Sequence, residues 1–296
     1  MNRRHFVRNA LITGAALPLK TESMDTSAAS KQQWYELRTY TFADDSQRQL
    51  TSAYLEKALI PALNRAGHTH IGVFFEQPQP TATAEPIGQP HTFLLIPFDS
   101  IESFAVINEK LARDKTYTEA AGNYLNGLIL PEPAAPATAS ATAAATAPAA
   151  ASATAPAIAP AYQRIESSLL KAFAHMPILE APAQKPRLFE LRRYESPTET
   201  AGQKKIEMFN DAGEIDIFKK IGARPVFFGE TIIGQYRPNL TYLLTFDDMP
   251  DHDARWKAFG SDPDWKLISK KPEYADALLI SKITRTFLSP APYSQI

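Results

Sequence analysis

The chain of 296 residues contains no cysteine. That excludes disulfides, thiolate nucleophiles and cysteine-ligated metals, and it excludes a lipid anchor built on a cysteine at a signal junction. An excess of either charge is also missing: 31 Lys and Arg stand against 32 Asp and Glu, for a net charge of −1. There is thus no electrostatic case for nucleic acid or an anionic lipid surface as partner. No segment after the N-terminal region has the eighteen or so uncharged apolar residues of a membrane span. Ser-His-Asp order, phosphate loop, dinucleotide fingerprint and zinc-binding helix pattern are all absent. What is present, 44% hydrophobic and 21% charged residues, is the composition of a soluble globular protein with length for about two domains.

Residues 1–30 read as an address. Asn2-Arg3-Arg4-His5-Phe6-Val7-Arg8 is basic, Ala10 to Leu19 is mildly apolar, and small residues follow around Ser27-Ala28-Ala29. This resembles a twin-arginine signal peptide, with Asn2, Val7 and Arg8 as mild departures from the usual pattern. The resemblance implies export of a folded protein to a bacterial periplasm; it permits a cofactor without pointing to one.

The rest of the chain is organised around a strand written twice, Trp34-Tyr35-Glu36-Leu37-Arg38-Thr39-Tyr40 and Leu188-Phe189-Glu190-Leu191-Arg192-Arg193-Tyr194. In each copy an apolar set (Tyr35 and Leu37; Phe189 and Leu191) alternates with Glu, Arg and Tyr on the other face. A helix is expected over residues 44–66, kinked by Pro61 and capped by Gly67, and its counterpart over 204–221, capped by Gly222. Strands at 71–76 and 92–98 are matched by strands at 226–233 and 240–246. At constant offset Phe98-Asp99 aligns with Phe246-Asp247, Leu111 with Phe259, Asp114 with Asp262 and Tyr117 with Trp265, which establishes an internal duplication.

Residues 131–161 are nearly all Ala, Pro and Thr and cannot bury enough surface to offset their ordering entropy, so disorder is expected there. The second copy ends in a strand expected at 277–288. Its first-copy counterpart is read at 165–173, pairing Ile165 with Leu279, Leu169 with Ile283 and Phe173 with Phe287; an amphipathic helix is the competing reading, since spacing alone does not arbitrate short runs. On the strand reading the insertion interrupts the first copy, giving copies at 33–178 and 186–290.

Strand-helix-strand-strand-helix-strand is the split ferredoxin-like unit. The expected fold is therefore α+β, two tandem βαββαβ repeats packed as an intramolecular barrel. The Leu faces are expected to meet the helices, and the Glu/Arg/Tyr faces each other. The E-L-R-x-Y opening of each copy, the Gly-capped helix leading into Pro225-Val226-Phe227-Phe228, and the run Arg255-Trp256-Lys257-Ala258-Phe259-Gly260-Ser261-Asp262-Pro263-Asp264-Trp265 resemble the NIPSNAP family. That resemblance implies a dimeric α+β-barrel fold, end to end in the second copy. The first is degenerate, with Asn108 where Trp256 stands and Lys115 where Pro263 stands. It implies no defined reaction.

Arg38, Tyr40, Arg192, Tyr194, Trp256, Phe259 and Trp265 are the candidate ligand-binding residues. Arginines inside a barrel could fix an anion, or the Glu–Arg pairs could be a ladder that sets register. The aromatics could line a small apolar pocket between sheet and helices, as in related barrels, or simply pack. His68, His70 and His91 lack a placed third ligand and no counterpart recurs, so neither metal nor cofactor is expected. The function read from this is binding of a small apolar ligand or a partner protein or second copy. The alternative is a small-substrate enzyme like the monooxygenases that share the fold, with catalytic residues unassigned.

Overall fold

A computed structural model describes residues 31–78, 90–129, 158–185 and 187–296. Residues 1–30, where an export signal is expected, and most of the Ala/Pro/Thr stretch lie outside them. The first copy comprises β1 (Trp34–Thr41), α1 (Asp45–Tyr54), a π-helical turn (Leu55–Leu59), α2 (Ile60–Arg65), β2 (Gly72–Glu76), β3 (Thr92–Phe98), α3 (Ile101–Arg113), α4 (Lys115–Ala120), α5 (Gly122–Asn126), a two-residue pair β4 (Leu128–Ile129) and β5 (Ile158–Ala159), and β6 (Arg164–Ala172). The second comprises β7 (Leu188–Glu195), α6 (Glu199–Asn210), α7 (Glu214–Lys220), β8 (Arg224–Ile233), β9 (Asn239–Phe246), α8 (Met249–Ser261), α9 (Pro263–Ile268), a 3-10 turn (Pro272–Tyr274), α10 (Asp276–Leu279) and β10 (Lys282–Pro290).

Helix starts follow from side-chain caps. Asp44, Thr198 and Asp248 accept from the backbone three residues on, and Ser100 and Ser103 form a reciprocal capping box. Asp114 and Asp262, aligned by the duplication, cap α4 and α9 in the same way. At Pro61 the expected kink is a π turn: Ile60 donates to Leu55, so the ladder widens just ahead of the residue that has no N–H to give. The single helix expected over 204–221 is instead two, because Gly213 takes a left-handed φ of +94° and starts α7 afresh.

All strand pairs of the main sheet are antiparallel, and the order β1-β3-β2-β10-β7-β9-β8-β6 closes on itself. Within each copy the order is that of a split ferredoxin-like unit. The last strand of each copy crosses to the second strand of the other, β10 onto β2 and β6 onto β8. Closure pairs both edges of every strand in the main sheet.

Three apolar cores result. One lies between the first copy's sheet and helices around Tyr40, Leu59, Leu94, Ile96 and Phe98, and a second repeats it around Phe209, Phe218, Phe228 and Tyr242. The third fills the barrel, with Tyr35, Phe74, Leu95, Phe189, Leu191, Phe227 and Leu243. Gly72 opens the space for part of this packing, since a Cβ there would lie 2.6 Å from the ring of Phe74.

Three expectations are corrected. The faces are inverted: the Tyr35/Leu37 and Phe189/Leu191 faces look into the barrel, and Tyr40 and Tyr194 pack beneath the helices. A narrow lumen lined by eight strands offers buried charge few partners, whereas a helix layer can supply them. Residues 165–173 do form a strand, but four residues out of the expected register. Ile165 faces Tyr40 as Ile283 faces Tyr194, and Leu169 faces Glu36 as Phe287 faces Glu190. The misalignment arose because residues 276–279 turn as α10 instead of starting the last strand. Finally, the fold resumes before residue 161: Ile158–Ala159 pairs with β4, and Ala161 is buried, its carbonyl accepting from Thr51 at 2.6 Å.

Candidate functional site

Beneath the second copy's helices the polar face of β7 is fully enclosed. Glu190 binds Arg192 at 2.7 Å and accepts from Trp256 Nε1 at 2.9 Å, with His252 Nε2 3.3 Å away. Arg192 lies over the Trp256 ring, 4.4 Å from its centroid, and donates to the Tyr194 hydroxyl, which also accepts from Tyr242. Burial pushes the Glu190 carboxyl up, but the hydrogen bond from His252 and the Arg192 charge outweigh it and hold the group below the usual carboxylate range. Lys205, 1% exposed, reaches Glu214 at 3.3 Å among the rings of Tyr194, Phe209 and Trp265. Phe259 stacks on Phe218 with centroids 4.5 Å apart and meets Trp265 at a tilt of 42°, 4.4 Å between centroids.

The first copy has a smaller version. Arg38 grips Glu36 through two bonds of 2.6 and 2.9 Å, and Ser167 supplies the third contact that Trp256 supplies to Glu190. Tyr40 joins a tyrosine-rich layer with Tyr54, Tyr117, Tyr124 and Tyr162. The structure therefore brings Arg192, Tyr194, Trp256, Phe259 and Trp265 into one packed layer. Arg38 and Tyr40 form a separate one on the far side of the barrel.

An open cavity lies elsewhere. At the end of the barrel where β1, β2, β7 and β8 finish, a cavity of about 450 Å3 enters the lumen. Leu37, Phe93, Leu170 and Leu191 form its apolar part, and Thr39, Thr41, Thr231, Thr241, Thr284 and Thr286 its hydroxyl-bearing wall. Its ionisable lining is Glu76, His91 and Glu166 from the first copy and Arg193 and Tyr236 from the second. Arg193 is bound to Glu195 at 3.1 Å and lies over the Tyr236 ring at 4.1 Å. His91 Nδ1 sits 2.5 Å from Glu76 Oε2, and the same oxygen accepts the His91 backbone N–H at 3.0 Å. That hydrogen bond, with the charge of Glu76, raises the His91 pKa against the lowering effect of burial.

Sequence reasoning singled out His91 only as a weak metal ligand and missed the cavity, because its wall is assembled from the ends of eight strands. The available signal was the alternation Leu37-Arg38-Thr39-Tyr40-Thr41, whose small hydroxyls mark a face with room. Among the described residues no three His, Asp or Glu gather as a metal site, and no helix is long and apolar enough to cross a membrane.

The NIPSNAP family model matches residues 189–295. No curated protein matches the chain. Among solved structures, a "putative monooxygenase" from Lactobacillus acidophilus superposes with a TM-score of 0.51 at 9% identity, covering 88% of this chain and 94% of that one. A second protein so described, from Fusobacterium nucleatum, gives 0.50 at 7% identity, covering 88% and 92%. A NIPSNAP family protein of unknown function from Agrobacterium tumefaciens matches at 22% identity with a TM-score of 0.32, covering 37% of this chain and 92% of its own. At these identities the likeness is one of fold, here the dimeric α+β barrel condensed into one chain. The stretch that matches the NIPSNAP family model, residues 189–295, is the second copy of that barrel.

Proposed function

We propose that this is an exported binding protein that holds a small, mainly apolar molecule in the lumen of its barrel. The observation that carries the reading is the 450 Å3 cavity, with its apolar inner part and its hydroxyl-bearing wall. Volumes of this order suit small-molecule ligands, and the lining offers four apolar side chains for a ligand's body and a polar majority to hydrogen-bond its substituents. The space between sheet and helices, the other place for a ligand, is filled by Tyr242, Phe246, Trp256 and Phe259 in the second copy. Export rests on Arg3 and Arg4 and the apolar stretch behind them. Native mass spectrometry of the purified protein tests the binding reading. A retained small-molecule adduct is expected, and Thr286→Trp, which fills the cavity, should abolish it; an adduct unaffected by that substitution would remove the lumen as the site.

An enzymatic reading has one observation in its favour, the hydrogen-bonded Glu76–His91 pair on the cavity wall. The full-length neighbours described as monooxygenases contribute a shared barrel to this reading and nothing about a reaction.

A further inference from the structure

The duplication supplies an internal control for the cavity wall. Strand register places Phe75 opposite Thr92 and Glu230 opposite Leu240, so Glu76 and His91 of the first copy occupy the positions of Thr231 and Asn239 in the second. The bridging strands agree, since Glu76 pairs with Leu288 and Thr231 lies against the equivalent Leu170. The second copy closes this corner with a neutral hydrogen bond, Thr231 Oγ1 to Asn239 Oδ1 at 2.7 Å, and Asn239 is held in turn by the carbonyls of Gln235 and Tyr236. Both copies thus close this corner with a polar link, and only the first makes it ionisable. Desolvating a carboxylate and an imidazole costs free energy that the Thr–Asn solution avoids. Two copies in one chain let one wall of the lumen differ from the other, and the first copy uses that freedom to place an acid–base pair there.

The pair is oriented. Glu76 engages His91 Nδ1 and its backbone N–H, which holds the imidazole with its proton on Nδ1. Nε2 has no hydrogen-bond partner among the described residues. The ring of His91 lies edge-on to Phe93, centroids 6.2 Å apart, and both line the cavity with Leu37, Leu170 and Leu191. The charged groups facing it are Glu76 on β2, Glu166 on β6 and Arg193 on β7; β9 and β10 contribute neutral Asn and Thr side chains.

We propose that the lumen takes a small aromatic compound bearing a weakly acidic hydroxyl, and that His91 Nε2 accepts the hydroxyl proton. This rests on the lumen being the binding site. In the step, the ligand O–H bond breaks and an Nε2–H bond forms. The electron pair stays on the phenolic oxygen, and the resulting imidazolium is held between that anion and Glu76. Leu37, Phe93, Leu170 and Leu191 receive the ring, and the threonine hydroxyls replace its lost water.

4-Nitrophenol is a suitable probe because its phenolate is yellow and its phenol is not. Bound to the full-length protein and buffered below its own pKa, it should show the phenolate band, with an apparent pKa lowered by about one unit or more, as for an acid placed beside a cation. Glu76→Thr/His91→Asn installs the pair that the second copy already accommodates, so thermal unfolding should change little; this variant should bind the probe as neutral phenol. Thr286→Trp should prevent binding. Probe bound as phenol by the natural sequence, or as phenolate by the double variant, would overturn His91 as the base while leaving the lumen as a site. Failure of the natural sequence to bind the probe would overturn the aromatic-hydroxyl class, and binding undiminished in Thr286→Trp would overturn the lumen itself.

Discussion

Trp256 Nε1 donates to Glu190 Oε2 at 2.9 Å, tying α8 to the strand that opens the second copy. In the first copy Asn108 stands at the position of Trp256, and Ser167 on β6 donates to Glu36 instead. The same buried carboxylate is thus satisfied from a helix in one copy and from a neighbouring strand in the other. Trp256→Phe leaves one Glu190 oxygen with only His252 for company and should cost about 1–3 kcal/mol in denaturant unfolding, the range for an abandoned buried acceptor.

Arg192 is the more severe test. It is buried, bonded to both Glu190 and Tyr194, and sandwiched against Trp256. Arg192→Ala strands a buried carboxylate and should cost about 3–5 kcal/mol, whereas Glu190→Gln/Arg192→Met should recover part of the loss. A cost below about 0.5 kcal/mol, the scale of surface substitutions, would mean that this layer is open to water.

Gly213 separates α6 from α7 with φ at +94°, and a Cβ built there meets nothing within 4 Å. Any penalty for Gly213→Ala is therefore backbone strain alone, about 1–2 kcal/mol. Equal stability of the variant would show that the two helices can merge.

His252 lies between Phe246, Trp256 and Phe287 and reaches Glu190 and Asp253. Burial lowers its pKa, but those two carboxylates more than offset this and the net direction is upward from 6.5. A raised folded-state pKa contributes stability that is complete below the unfolded value and is lost as pH rises through the folded one. The stability gap between the natural sequence and His252→Gln should therefore be wider near pH 6 than near pH 9, by up to about 1 kcal/mol. Glu190 has the opposite sign: its folded pKa is depressed, so its contribution is present above 4.5 and lost on acidification below that value.

Export is checked by fusing residues 1–32 to a reporter. Arg3→Lys/Arg4→Lys should block its passage through the twin-arginine translocase, and unchanged export would refute the signal.

Much of the architecture was present in local pattern. The two E-L-R-x-Y strands, the gapless match from Thr92 to Phe98 onto Leu240 to Phe246, and the caps at Asp114 and Asp262 depend on residues near in sequence, and pattern alone determined the duplicated α+β fold and the NIPSNAP likeness. Period-two alternation showed that β1 and β7 have two different faces, but not which one turns inward, because both are buried. That choice depended on partners contributed from far away, Trp256 and His252 for Glu190 and Ser167 for Glu36. The cavity was equally hidden, since Leu37, His91, Glu166, Arg193 and Thr286 become neighbours only when eight strands close. Composition and spacing specify which elements form; the lumen, its acid–base pair and the direction each strand faces are decided by long-range closure, which places side chains against partners that no local window contains.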